Sequence, residues 1–200
     1  MSRIHGPKCK LCRRAGVKLY LKGTRCDTEK CAMNKRPYAP GQHGSRRSRK
    51  SEYAEQLREK QKAKWIYGIM ERQFRRYVAE AMDGEGVAGE NLYRILESRI
   101  DNVVYRSGLA VSRAQARQMV RSGLFMVNDK VVMTPSLMVG PGDVIKPVDF
   151  SKVHLREGFV LPEWISANVK ERYVKYERIP TMEDFNENYE VQPIIDFYSR

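Results

Sequence analysis

The stretch that decides the fold spans residues 109–133, LAVSRAQARQMVRSGLFMVNDKVVM. An S-x-x-Q capping box begins at Ser112 and predicts the start of a helix, which the following Gly123 is expected to end. Asn128 and Asp129 then separate two apolar runs, and their short side chains tolerate the backbone of a tight turn. A helix followed directly by a β-hairpin predicts a small α+β unit.

Further elements are predicted on both sides of this stretch. VIKPV at residues 144–148 resumes as a strand, and short aromatic strands follow residue 150. Upstream, Ser51 is a plausible N-cap, and the apolar periodicity of residues 71–82 and 91–106 predicts two more helices. The buried residues expected in these two helices are Phe74, Tyr77, Val78, Ala81, Met82, Leu92, Leu96, Val103 and Val104. The apolar ending VQPIIDFYSR is expected to return to the helical domain.

Positive charge is concentrated in the N-terminal third of the chain. The formal net charge is +13, and residues 1–64 hold 19 Lys and Arg against 5 Asp and Glu. Such a one-sided segment, interrupted by aromatic residues and glycines, favours a polyanionic partner over a merely solvated surface. The start MSRIHGPKCK has no apolar core, and no apolar run reaches membrane length, so a cytoplasmic protein without a membrane partner is expected.

All four cysteines lie within residues 9–31, as the pairs CKLC and CDTEKC. Two close thiol pairs can supply the four ligands of a tetrahedrally coordinated metal ion, and a closed four-sulfur site is structural rather than catalytic. The predicted ligands are Cys9, Cys12, Cys26 and Cys31, and the predicted occupant is one Zn²⁺. A 4Fe-4S cluster accepts the same four thiolates, and disulfides or free thiols are the remaining alternatives.

Basic and aromatic side chains are predicted to contact RNA. RPYAPGQHGSRRSRK at residues 36–50 indicates an extended basic linker, and Arg113, Arg117 and Arg121 recur along one helix face. Like charges at this spacing repel, which a phosphate backbone would compensate. The predicted RNA contacts are Arg3, Lys8, Lys10, Arg13, Arg14, Lys22, Arg36, Tyr38, His43, Arg46, Arg47, Arg49, Lys50, Arg58, Lys62, Arg113, Arg117 and Arg121.

Several motifs together resemble the bacterial small-subunit ribosomal protein four family, in its cysteine-containing subset. They are GPKCKLCRR, RPYAPGQHG, LREKQK, LESRIDNVVYR, SRAQARQMVRSG and the closing FYSR. The resemblance implies a structural constituent of the small ribosomal subunit, a primary 16S rRNA binder that nucleates the 5′ domain. It also implies a place beside the third and fifth small-subunit proteins, along the channel that messenger RNA enters, and a contribution to translational accuracy. No homo-oligomer is needed.

The resulting fold prediction is α+β. A metal-pinned basic arm (residues 1–45) precedes a mostly helical domain (residues 46–96, completed by 170–200), into which a helix-pair and β-sheet RNA-binding module (residues 97–169) is inserted. No phosphate loop, nucleophile elbow or HExxH motif is present, so an enzyme is not expected. The rival interpretations are an RNA-modifying enzyme, a zinc-ribbon DNA-binding regulator and an assembly factor absent from mature subunits.

Overall fold

The structure, a computed structural model, describes residues 4, 6–46, 49, 51–153, 156, 158–168 and 173–199. These residues form helices α1 (Lys8–Ala15), α2 (Ala32–Lys35), α3 (Glu52–Ile66), α4 (Glu71–Asp83), α5 (Ala88–Glu97), α6 (Ile100–Arg106), α7 (Arg113–Arg121) and α8 (Gln192–Tyr198). The strands are β1 (Phe125–Val127), β2 (Lys130–Val132), β3 (Val144–Pro147), β4 (Ile165–Asn168) and β5 (Tyr173–Tyr176). Among the described residues, no helix combines the length and apolarity that crossing a membrane requires.

The chain divides into two compact units. The helical unit comprises Met1–Leu92 and Asn186–Arg200, and the sheet unit comprises Tyr93–Phe185. This division differs from the predicted one, because β5 pairs with β3 and β4 in the sheet. The predicted boundary at residue 169 therefore falls inside the sheet unit, and only the last segment of the predicted 170–200 region returns to the helices.

In the helical unit, α3 begins where the sequence predicts it. The Ser51 hydroxyl accepts a hydrogen bond from the Ala54 amide at 3.3 Å, which satisfies one of the free donors of the first turn. Helix α4 buries Phe74, Tyr77, Val78 and Ala81, as its periodicity predicts. Met82 was predicted to be buried with them, but it is 40% exposed because it lies beyond the edge of that apolar face.

The C-terminal segment docks on α3, as predicted from its apolar sequence. Ile194 and Ile195 of α8 are buried, and α8 makes its principal contacts with α3. Beside this contact the Glu71 carboxylate accepts hydrogen bonds from Lys60 at 2.8 Å, Lys64 at 2.7 Å and the Tyr198 hydroxyl at 2.7 Å. The ends of α3 and α4 and the last turn of α8 are thus joined by one polar cluster.

The sheet unit packs α6 and α7 on an antiparallel sheet with strand order β2-β1-β3-β5-β4. The sequence predicts one helix over residues 91–106, but the structure has two, because Arg99 between α5 and α6 has an extended backbone with a ψ of 136°. The predicted inward-facing residues Leu96, Val103 and Val104 are nevertheless fully buried. Val103 and Val104 belong to a core that also contains Ile100, Ala116, Val120, Phe125, Ile145, Trp164 and Tyr176. Burial of these large side chains from both layers fixes α7 against the sheet.

The hairpin turn has the backbone that its sequence predicts. Asn128 and Asp129 have φ angles of 48° and 64°, the left-handed pair typical of a two-residue turn. The Asn128 side chain also donates to the Asp143 carboxylate at 2.7 Å and accepts from the Val144 amide at 3.0 Å. These bonds fix the tip of the hairpin to the start of β3.

Candidate nucleic-acid interface

Helix α1 carries the basic surface of the cysteine-rich arm. It starts after Pro7 and ends at Gly16, whose φ of 80° is the left-handed conformation that commonly stops helices. Lys10, Arg14 and Lys22 are exposed to solvent, so their charges are available to a phosphate. Lys8 is half-buried and donates to the Ile4 carbonyl.

Arg13 has an internal role that the sequence did not reveal. Its guanidinium donates to the Tyr38 carbonyl at 2.9 Å and the Ala39 carbonyl at 3.4 Å, and it lies 5.0 Å from the Tyr38 ring centroid. These contacts hold the start of the linker against α1. The linker then folds back on itself so closely that a Cβ on Gly44 would lie 1.8 Å from the Ala39 oxygen.

The four cysteines line one small cavity in this arm. Cys12, Cys26 and Cys31 are buried, whereas Cys9 is partly exposed. Burial raises the pKa of the Cys12 and Cys26 thiols, and the neighbouring cysteines raise it further. Hydrogen bonds from the Leu19 and Lys22 backbone oppose these shifts, the second at 3.4 Å to the Cys26 sulfur.

The structure does not support the predicted metal-pinned arm. Within the described part of the chain, no group of three or more His, Cys, Asp or Glu side chains has metal-ligating geometry. The donor set itself suits a soft ion, since four free thiols surround one cavity and backbone amides point at two of the sulfurs. The sequence spacing therefore brings the thiols to a common cavity without setting their ligating orientation.

The basic end of the linker is partly described. Arg36, His43, Arg46 and Arg49 are all exposed. Predicted contacts Arg3, Arg47 and Lys50 lie outside the described residues. The exposed members extend the positive surface beyond α1.

Two predicted contacts on α3 have acidic surroundings. Arg58 and Lys62 are half-buried and line a cavity rich in carboxylates, and Lys62 is paired with Glu59 at 2.6 Å. A phosphate brought to these two cations would meet those carboxylates as well. Their assignment to RNA is therefore weaker than that of the exposed arm residues.

The three arginines of α7 are not equivalent. Arg113 donates to the Asn102 side-chain oxygen at 2.7 Å and lies 4.5 Å from the Tyr105 ring centroid. Arg117 donates to the Asp101 carboxylate at 2.9 Å, whereas Arg121 is exposed. The predicted uniform outer stripe is wrong, because the first two arginines lean against α6.

A buried acidic centre organises these arginines. Glu97 is fully buried and accepts two hydrogen bonds from Arg106, at 2.8 and 2.9 Å, and one from Asn102 at 2.8 Å. Asp101 is 4% exposed and accepts from Arg99 at 3.0 and 2.7 Å. Glu97 thus compensates Arg106 of α6 and Arg113 of α7, whereas Asp101 compensates Arg99, just before α6, and Arg117 of α7. This explains why Arg113 and Arg117 are tolerated at four-residue spacing.

Comparison with known proteins identifies the family to which the chain is similar. Residues 3–97 match the family described as "Ribosomal protein S4/S9 N-terminal domain", and residues 98–145 match the "S4 domain". Over the whole of both chains, the sequence is 49% identical to "Small ribosomal subunit protein uS4" of Thermodesulfovibrio yellowstonii. It is 50% and 47% identical to the proteins of the same name from Halothermothrix orenii and Thermotoga maritima.

The chain belongs to the uS4 family. The predicted family is thereby confirmed, and with it the expectation of a ribosomal protein rather than an enzyme. The matched "S4 domain" corresponds to α6, α7, β1, β2 and the first two residues of β3.

Sequence reasoning missed the acidic centre formed by Glu97 and Asp101. A signal was present within the helix predicted over residues 91–106, since Glu97 directly follows the apolar Leu96, although in the structure α5 ends at Glu97. An acid at helical spacing on an apolar face is expected to have a buried partner, here the later arginines.

Proposed function

We propose that this chain is a structural constituent of the small ribosomal subunit, acting in the cytoplasm as a binder of ribosomal RNA. The observation that supports this most strongly is full-length similarity at 49% identity to a protein named for that subunit. The exposed basic side chains of the arm, the linker and Arg121 are consistent with this proposal, because phosphate neutralisation requires exposed Lys and Arg side chains.

In its finer form, the proposal is that the protein binds 16S rRNA early and nucleates the 5′ domain. It would lie beside the third and fifth small-subunit proteins and line the channel that messenger RNA enters, where it contributes to translational accuracy. Arg46 and Arg49, both exposed, are suitable residues for contacting the messenger. Lys10, Arg14, Lys22, Arg36 and Arg121 are the described side chains best exposed for rRNA phosphates.

We also propose that Cys9, Cys12, Cys26 and Cys31 hold one Zn²⁺. The support is the shared cavity and the two backbone amides directed at sulfur. A bound zinc ion would supply no reaction, only a cross-link between α1 and the segment before α2. The thiols must rotate to reach ligating geometry, and a 4Fe-4S cluster remains the alternative occupant of the same donor set.

Cosedimentation tests the ribosomal assignment. The protein should remain with mature small subunits in high salt; presence on precursor particles alone would identify an assembly factor instead.

Affinity for isolated 16S 5′-domain RNA tests the contact surface. If about six phosphates are neutralised, binding should weaken on the order of 10³-fold between roughly 50 and 200 mM salt. Replacing Lys10, Arg14 and Arg121 with Gln should reduce that slope, while Glu80→Gln and Asp83→Asn on exposed positions of α4 should not. A salt-independent affinity would contradict the proposal, and equal competition by duplex DNA would favour the DNA-binding alternative.

A further inference from the structure

Helix α4 of the helical unit has an inner and an outer face with opposite properties. The inner face is apolar and buried, and consists of Phe74, Tyr77, Val78 and Ala81. The outer face carries three solvent-exposed arginines, Arg72, Arg75 and Arg76, which are called the arginine face below. Because burial of the inner face fixes the helix, the arginine face is presented from a rigid support.

The three arginines are neighbours on the helix surface. Their spacing of three and four residues brings the side chains together, and the helical rise places Arg72 and Arg76 about 6 Å apart along the axis. Like charges at this spacing destabilise a helix, and the cation of Arg72 in the first turn also opposes the helix dipole. The arginine face therefore lowers the stability of α4 unless an anion compensates it.

The glutamate best placed to compensate this face is already occupied. Glu71 precedes Arg75 by four residues, the spacing at which an acid and a following base pair favourably on a helix. Its carboxylate instead accepts hydrogen bonds from Lys60, Lys64 and Tyr198. The guanidinium of Arg75 is thereby left without the partner that its own helix could provide.

The rest of the described chain does not supply the anion either. Glu80 follows Arg76 by four residues, but no ion pair joins the two side chains. Within the described residues, the guanidiniums of Arg72, Arg75 and Arg76 have no hydrogen bond or ion pair. On α7, in contrast, Arg117 is neutralised by the buried Asp101 of the neighbouring helix. The arginines of α4 thus keep their donors available to an external anion.

We propose that the arginine face of α4 binds phosphates of an RNA backbone. This inference rests on the proposed rRNA-binding function and adds to it a contact surface in the helical unit, separate from the arm and the linker. Charge complementarity supports it, since a guanidinium donates two parallel hydrogen bonds to phosphate oxygens. Contacts to phosphates carry no base information, so this face positions the RNA without reading its sequence.

Binding of the full-length protein to isolated 16S 5′-domain RNA, measured across a series of salt concentrations, tests the arginine face. R72Q/R75Q/R76Q should weaken binding at least about tenfold and lower the magnitude of the slope of log affinity against log salt concentration by about two to three, roughly one per lost contact. R72K/R75K/R76K retains the charges and should retain the slope. Its affinity should fall, because lysine lacks the forked donors of arginine.

Hydroxyl-radical footprinting of the same complexes distinguishes a local contact from a general loss of positive charge. R72Q/R75Q/R76Q should lose protection at a confined set of backbone positions. K10Q/R14Q, which removes two exposed cations of α1, should lose protection at a different set. A uniform loss of protection in R72Q/R75Q/R76Q would overturn the proposal, because it would show that charge acts only at long range.

Urea unfolding separates RNA binding from a role within the fold. R72Q/R75Q/R76Q should be at least as stable as the native protein, because it removes repulsion between like charges. A loss of stability would contradict the proposal. The single variant R76Q provides an independent comparison, and it should lower the magnitude of the salt slope by about one without unfolding the protein.

The outcomes also separate this inference from the function on which it rests. Native affinity and slope in R72Q/R75Q/R76Q, together with weaker binding by K10Q/R14Q, would overturn the RNA contact of α4 alone. That result would leave rRNA binding intact and assign the arginine face to an acidic protein partner. Salt-independent binding by the native protein would overturn both proposals.

Discussion

The arginines of the sheet unit and the cysteines of the arm are both clusters of like groups whose assembly costs free energy. The two clusters differ in what compensates that cost. In the sheet unit, Glu97 and Asp101 are already in place and hold guanidiniums at 2.7–3.0 Å. In the arm, four thiols share a cavity without ligating geometry among the described residues. One region carries its counter-charges in its own sequence, whereas the compensation that we propose for the other is a bound zinc ion.

This difference predicts that the two regions respond to different perturbations. The sheet unit should be sensitive to removal of a buried acid and indifferent to chelators. If the arm holds the proposed zinc ion, it should respond in the opposite way, because its stability would then include the free energy of metal binding.

The largest expected effect is that of removing Glu97. Glu97→Ala should destabilise the sheet unit by about 3–5 kcal/mol, because it leaves Arg106 and Arg113 without their buried partner. Urea unfolding followed by Trp164 fluorescence in a Trp65→Phe background reports on this unit alone, since Trp164 lies in its core. Glu163→Ala is the control, because that side chain is 90% exposed. A loss of under about 1 kcal/mol for Glu97→Ala would mean that the network adds little stability.

Chelation should affect the arm and spare the sheet unit. If free zinc stands about 1,000-fold above its dissociation constant, its removal should cost the arm about 4 kcal/mol. Hydrogen exchange in residues 6–46 should then accelerate, with that of α7 and the sheet unchanged. Replacing all four cysteines with Ser should abolish the response to chelator. Faster exchange throughout the protein would show instead that the arm is not a separate region.

Local patterns predicted the elements of both regions because their signals are contained in a few residues. The Ser51 and Ser112 caps, the Asn128-Asp129 turn and the buried faces of α4 and α6 all follow from adjacent side chains. The pairing of β5 with β3 could not be predicted, because it depends on contacts about 30 residues apart and on no local pattern.

The candidate interface was less predictable than the fold for a related reason. Spacing places Arg113, Arg117 and Arg121 on one face, but whether a guanidinium is exposed depends on what the neighbouring helix presents. Asp101 and Asn102 on α6 engage the first two arginines. The same limitation applies to Arg13, whose partners are backbone carbonyls 25 and 26 residues away.

Comparing two arginines of α7 sharpens this distinction between structural and RNA-facing side chains. Arg117→Ala should destabilise the sheet unit by about 2 kcal/mol, since it removes a charged hydrogen bond to the buried Asp101. Arg121→Ala should change stability by less than about 0.5 kcal/mol, because that residue is exposed. Arg121→Ala should instead lower the magnitude of the slope of log affinity against log salt concentration by about one, the value of a single lost phosphate contact. Equal stability losses in the two variants would remove the distinction.

The smallest expected effect concerns Glu71, which compensates cations at the docking site of α8. Partial burial alone would raise the pKa of Glu71, but hydrogen bonds from Lys60, Lys64 and Tyr198 outweigh it and lower the pKa to about 2. A depressed carboxyl pKa stabilises the fold above the unfolded value of 4.5, and this contribution disappears as pH falls towards 2. Because the side chain is 46% exposed, Glu71→Gln should cost only about 1 kcal/mol at neutral pH.

Hydrogen exchange of α8 measures this contribution without interference from the sheet unit. The difference between Glu71→Gln and the native protein should be constant from neutral pH down to about 4.5 and shrink below it. The exposed α4 variant Glu80→Gln should show neither the loss nor its pH dependence. If the difference in α8 hydrogen exchange stays constant in acid, Glu71 acts through packing rather than charge. The helical unit would then, unlike the sheet unit, not rely on an internal carboxylate.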